Sequence, residues 1–87
     1  MDTKLMIDII GWVGATLLLL AYLLVSMKKC TGRSILYQIL NIVGSSFLML
    51  NAGYYQAFPS VFVNIVWVCI GAATIILVLK SKFAKQG

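Results

Sequence analysis

The sequence predicts an all-α integral membrane protein, a bundle of three transmembrane helices in a single domain over residues 1–87. Hydrophobic residues make up 62% of the chain and the mean hydropathy is +1.03, a composition that small soluble domains do not show. Roughly 20 apolar residues cross the hydrocarbon core as a helix, so the chain has the length for three spans joined by short loops.

The few ionisable side chains exclude several classes of function. The chain has no His, and Asp2 and Asp8 are its only carboxylates, so we expect no metal site, no cofactor and no enzymatic activity. The net charge of +5 does not indicate nucleic acid as a partner, because the basic residues lie at the ends of apolar runs without interleaved aromatics. The expected surroundings are a lipid bilayer.

The first span is predicted over residues 5–27, which is longer than the apolar core of a signal peptide and is therefore expected to be retained. At about 100° per residue, its small residues fall in one sector, which suits close packing of a neighbouring helix. This sector holds Gly11, Gly14, Ala15, Leu18, Ala21, Tyr22 and Val25. Asp8 lies near the start of the span, where we expect an interface or helix-capping role rather than proton transfer.

The second span, predicted over residues 35–52 with Ser34 as a candidate N-cap, is the most polar of the three. Gln38, Asn41 and Ser45 follow at i, i+3 and i+7, and Leu48 and Ala52 continue the same stripe. Unsatisfied amides and hydroxyls facing lipid would each cost several kcal/mol, so this stripe must face protein or water.

The third span is predicted over residues 60–79, with Pro59 in the first turn, where its missing N–H costs little. Asn64, Trp67, Gly71 and Thr74 share one face of this helix. The amide of Asn64 needs a partner at bilayer depth, either on a neighbouring helix or on a bound solute. Trp67 suits either helix packing or a ligand wall, and Gly71 suits a close helix contact.

The distribution of basic residues predicts the orientation of the chain. With three spans, the first loop and the C-terminus share one side, which carries six of the seven basic residues. They are Lys28, Lys29, Arg33, Lys80, Lys82 and Lys85. Cytoplasmic loops are enriched in Lys and Arg, so we expect the N-terminus outside and the C-terminus inside.

Three helices can bury their stripes against one another but cannot enclose a solute path. Two copies related by an axis along the membrane normal would supply six helices, the parallel-repeat arrangement of some transporters. We therefore expect a parallel homodimer with two sets of Asn64, Trp67 and Asn41 around a central cavity.

The segment FPSVFVNIVW, Phe58 to Trp67, together with Gly11 to Ala15 and the three-span length, resembles the SemiSWEETs. These are bacterial half-transporters of the SWEET and PQ-loop families. In that family a Pro-x-x-x-x-Asn run opens the third helix and its Asn contacts the sugar, which the resemblance carries over to Pro59 and Asn64. The chain departs from the family in two places. Leu24 and Val25 replace the Pro-Gln pair, and Leu48 stands near the position of the second-helix Trp that stacks on the sugar.

The resemblance implies a small-solute carrier of the bacterial inner membrane, for a sugar or a similar small polar metabolite. No carboxylate follows Asp8, so we expect facilitated transport without ion coupling, by alternating access. Without the Pro hinge, movement would come from bending at Gly11 and Gly14 or from rigid-body motion. The alternative is a small membrane protein without transport activity, either a holin-like protein or a regulatory subunit. The chain has the few spans, short loops and basic tail expected of such a protein. The polar stripes on two helices argue against it, because a protein without transport activity does not need them.

A C-terminal reporter fusion tests the predicted orientation. We expect alkaline phosphatase after Gly87 to be inactive and a fluorescent protein there to be bright, because six of the seven basic residues favour the cytoplasmic side. The reverse pattern would overturn the orientation.

Overall fold

The chain folds into three consecutive helices. The computed structural model describes the backbone of residues 2–86 and the side chains of residues 2–82. The helices are α1 (Thr3–Ser26), α2 (Ile35–Tyr54) and α3 (Phe58–Gln86). Each contains a stretch that is long and apolar enough to cross a membrane, and α2 is the least apolar of them. The predicted all-α architecture with three candidate membrane spans is therefore confirmed.

The helices extend further than the predicted spans at the start of α1, at the end of α2 and at both ends of α3, whereas α1 ends one residue before its predicted end. α2 runs two residues beyond the predicted end, so the second loop contains only residues 55–57. α3 begins at Phe58, which places Pro59 in the first turn, and continues past the predicted end at residue 79. Lys is a good helix former, so Lys80 and Lys82 can continue the helix beyond the apolar stretch. Lys85, which belongs to the predicted basic tail, has a side chain outside the described residues.

The N-terminal ends of α1 and α2 differ in how they are capped. Asp2 caps α1, because its Oδ1 accepts the backbone N–H groups of Lys4 at 2.7 Å and Leu5 at 3.3 Å. Asp8, for which a capping role was one expectation, lies inside α1 instead and does not cap it. Ser34 occupies the predicted N-cap position of α2, but its side chain makes no capping hydrogen bond.

α1 and α2 end in the same kind of turn, built without glycine. Lys28 and Gln56 have positive φ angles of 61° and 58°. In each turn the next residue's N–H donates to the carbonyl five residues back, at 2.8 Å, which is the long hydrogen bond of a Schellman motif. Glycine usually occupies the left-handed position. Here Gly32 lies elsewhere in the first loop, and two other residue types take that conformation.

α2 is the central helix and packs against both α1 and α3. Within residues 2–86, no α1 Cα comes within 8 Å of an α3 Cα. α1 and α2 meet at two glycines: a Cβ on Gly14 would lie 2.7 Å from the carbonyl oxygen of Gly44, and one on Gly44 would lie 3.0 Å from that of Gly14. The two backbones are therefore in direct contact, as in small-residue packing of membrane helices.

α3 approaches α2 at Gly71, where an added Cβ would lie 2.9 Å from Cγ1 of Ile42 and 3.0 Å from Oε1 of Gln38. The α1 sector of small residues is also turned inward, since Gly11, Gly14 and Ala21 are buried. Tyr22, which the helical spacing placed in that sector, is instead exposed.

Two glycine substitutions test this packing. Gly14→Ala places a methyl group against the Gly44 carbonyl, and overpacking of this kind costs about 1–3 kcal/mol, so the thermal unfolding midpoint in detergent should fall. Gly53→Ala is the matched control, because it is also helical and has open space around it. Because alanine has a higher helix propensity than glycine, Gly53→Ala should raise the free energy of unfolding by up to about 1 kcal/mol. Equal midpoints for the two variants would contradict the packing at Gly14.

Candidate functional site

α2 lies between α1 and α3. Gly44 faces α1, whereas Gln38 and Ile42 lie against Gly71 of α3. At about 100° per residue, Asn41 and Ser45 point roughly 60° and 100° round the helix from Gly44, between the directions of the two neighbours. We refer to the face formed by Asn41, Ser45 and Ala52 as the inner face of α2.

The inner face of α2 is buried, and two of its three residues are polar. Asn41 is 7% exposed and Ser45 is 0% exposed. The Oγ atom of Ser45 has no hydrogen-bond partner in the described part of the chain. Nearly all buried polar groups in proteins are paired, so an unpaired hydroxyl marks a point where water or a solute can bind.

Gln38 and Leu48, at two other positions of the predicted stripe, have different surroundings. The Nε2 of Gln38 donates to the carbonyl of Gly32 at 2.6 Å. This bond ties the first loop to α2, so the amide holds local structure in this protomer. Leu48 is partly buried and lines a cavity near the other end of the helix.

Asn64 bonds within its own helix. Its Nδ2 donates to the Ser60 carbonyl one turn earlier, at 2.9 Å. The side chain is partly buried and borders an open cavity of about 260 Å³ that Pro59, Ser60 and Val63 also line. Among the described residues, the Asn64 amide therefore donates to its own helix and not to a neighbouring helix or a second amide.

The remaining predicted α3 residues divide between a packed and an exposed side. Gly71 is buried against α2 and Thr74 is partly buried, with its hydroxyl donating to the Ile70 carbonyl at 2.9 Å. Trp67 is 48% exposed, so it lies at the edge of this face rather than in its centre. Its indole is free to contact lipid, a solute or another copy of the chain.

A polar cluster that was not predicted from the sequence joins α1 to the end of α2. Asn51 donates from Nδ2 to the Ile7 carbonyl at 3.0 Å. The Tyr55 hydroxyl donates to Oδ1 of Asp8, and Lys4 Nζ lies 3.0 Å from Oδ2 of the same carboxylate. Asn51 lies seven residues after Gly44, two turns along the same face, and this spacing is the signal that could have identified it.

Gly11 makes room for the Asn51 amide, because a Cβ there would lie 2.5 Å from Nδ2. Beside this contact lies a cavity of about 240 Å³, which we call the Asp8 cavity. It is lined by Asp8, Gly11, Trp12, Ala15, Leu48 and Asn51. The Asp8 carboxylate raises the pKa of the Tyr55 phenol above the usual range, mainly by accepting the phenol's hydrogen bond, so Tyr55 stays a neutral donor.

The family match covers all three helices. A model of a protein family of unknown function matches residues 7–82, and the chain belongs to that family. No curated protein and no solved structure matches the chain.

Two asparagine substitutions test the contact between α1 and α2. Asn51→Ala removes an inter-helix hydrogen bond, a class worth about 0.6–2 kcal/mol in membrane proteins, and should lower the thermal unfolding midpoint in detergent. Asn64→Ala is the matched control, because in the described part of the chain that amide bonds to its own helix at Ser60 and to no other helix. Its midpoint should stay close to that of the parent chain. A larger loss for Asn64→Ala would show that the inter-helix bond is not the stronger contributor.

Proposed function

We propose that the protein is a small-solute carrier of the bacterial cytoplasmic membrane. It works as a parallel homodimer, with the N-terminus outside, and moves a sugar or a similar small polar metabolite without ion coupling. The observation that carries this proposal is the Ser45 hydroxyl beside Asn41 on the inner face of α2, which is fully buried and has no hydrogen-bond partner in the described residues.

The depth of these groups supports a solute site. Ser45 lies ten residues after the start of α2, or about 15 Å along the helix axis, which is half of the roughly 30 Å hydrocarbon core. Transporters of internal-repeat design place their substrate sites near this midplane. A buried hydroxyl without a hydrogen-bond partner lowers stability. Helix packing alone therefore gives no reason for such a group at this depth.

The arrangement of the helices supports a second copy. α1 and α3 flank α2 without approaching each other in the described residues, so the three helices of one chain form a row and do not enclose a solute path. A second copy packed against this row supplies three further helices and a second set of Asn41, Asn64 and Trp67. The half-exposed indole of Trp67 is then placed to contact the solute or the other protomer.

The glycine contact favours rigid-body movement over bending within α1. The backbones of Gly14 and Gly44 touch, and Asn51 holds α1 about two turns nearer its start, at the Ile7 carbonyl. α1 and α2 therefore move as one body, and alternating access comes from rocking of one protomer against the other. Asp8 is held by Lys4 and Tyr55 near the start of α1, away from the midplane, which supports transport without a proton relay.

Uptake into reconstituted vesicles tests the carrier. With purified protein in liposomes and isotope-labelled hexoses, pentoses and disaccharides outside, we expect saturable entry of at least one of them. Ser45→Ala and Asn41→Leu should each reduce that entry tenfold or more. Cys69→Ala is the control, because Cys69 is exposed and points about 160° away from Gly71 on α3.

Stability separates a binding role for Ser45 from a packing role. Because the hydroxyl is buried and unpaired, Ser45→Ala should leave the thermal unfolding midpoint unchanged or raise it while uptake falls. Leakage of trapped carboxyfluorescein would support a holin-like protein instead. Tight vesicles without uptake of any of these sugars would contradict a sugar carrier and favour the regulatory-subunit alternative.

A further inference from the structure

The Asp8 cavity contains a combination of groups that the proposed carrier mechanism does not use. It brings together a carboxylate, an indole and an amide at the end of the bundle where α1 begins and α2 ends. We propose that this cavity binds a small primary ammonium ion, which is a protonated alkylamine. The inference goes beyond the carrier activity and does not rest on it, since binding is measured without transport.

The charge of the cavity favours a cation. Asp8 is the only ionisable residue among the six that line it. Charged side chains within candidate spans are rare and usually mark ion or substrate sites. An anion would have no counterion among these six residues and would be repelled by the Asp8 carboxylate.

The neighbouring groups match the donors of a primary ammonium. Asp8 and Trp12 are four residues apart on α1, so their side chains are neighbours, and Trp is the best aromatic surface for a cation. Asn51 uses its Nδ2 for the Ile7 carbonyl, which leaves Oδ1 as an acceptor. The Tyr55 hydroxyl binds Oδ1 of Asp8 and so orients the carboxylate from the side opposite to Lys4.

Lys4 shows how an ammonium meets this carboxylate. Its Nζ lies 3.0 Å from Oδ2 of Asp8, but its side chain is 65% exposed. Exposed pairs at i, i+4 are weak and exchange easily with other partners. Lys4 does not line the cavity, but it binds the same carboxylate and therefore competes with a ligand's ammonium for Asp8 from within the chain.

The size of the cavity sets the size of the ligand. About 240 Å³ is below the roughly 300–1,000 Å³ of pockets that hold drug-sized ligands. It is far above the ~30 Å³ share of one water molecule, and so above what a bare monovalent metal ion needs. An amine of a few heavy atoms fits this space.

Tryptophan fluorescence of the full chain in lipid nanodiscs tests the proposal. The chain has two Trp residues, so Trp67→Phe leaves Trp12 as the only indole. Titration with ethylammonium chloride at constant ionic strength, balanced with sodium chloride, should change Trp12 emission in a saturable way. In this background, Asp8→Asn should weaken binding at least tenfold.

Removal of the internal competitor provides an independent arm that does not depend on Asp8→Asn folding. Lys4→Gln should tighten ethylammonium binding about threefold or more. Lys82→Gln, the same charge change on α3 far from the cavity, should leave it unaltered. The proposal is overturned by an equal response to sodium chloride alone, by unchanged binding in a folded Asp8→Asn variant, or by weaker binding in Lys4→Gln. Failure of sugar uptake, by contrast, would affect only the proposed carrier.

Discussion

Gly14 and Gly44 let the backbones of α1 and α2 touch, and the arrangement of the other polar groups follows from that contact. It turns Gly44 towards α1, so that Gln38 and Ile42 point to α3 and Asn41 and Ser45 point between the two. The same close approach brings the Asn51 amide to the Ile7 carbonyl. Lipid provides no hydrophobic drive between helices, so direct backbone contact and inter-helix hydrogen bonds must hold the pair together.

The polar side chains are divided between two tasks along the length of the bundle. Near the loops they hold structure: Gln38 binds the Gly32 carbonyl, and Tyr55 and Lys4 hold Asp8. In the middle of α2, Ser45 is buried with no such partner in the described residues. Residues that support the structure therefore differ from candidates for ligand contact in whether their polar groups are hydrogen-bonded, and not in polarity itself.

The helices could be predicted from the sequence because hydropathy and length are local properties, and the burial that a polar stripe requires follows from spacing alone. The roles within the stripe could not be predicted in this way. Gln38 and Ser45 lie two turns apart on one face. The Gln38 amide donates to a loop carbonyl, whereas the Ser45 hydroxyl has no hydrogen-bond partner in the described residues. Asn51 lies within the predicted second span but was missed because it falls on the Gly44 side of α2 and not on the polar stripe. Tyr55 lies just beyond the end of α2, so the helical spacing did not assign it to a face.

By itself the sequence determined a membrane protein with three apolar helices, short connections and polar groups in two of its spans. The tertiary structure decided that α2 is central, that Asp8 joins a cluster with Lys4 and Tyr55 instead of capping α1, and that Asn64 bonds to its own helix. The physical reason is that periodicity fixes which residues share a face, whereas the partner of each face depends on helix order. Helix order here follows from where glycines permit two backbones to meet.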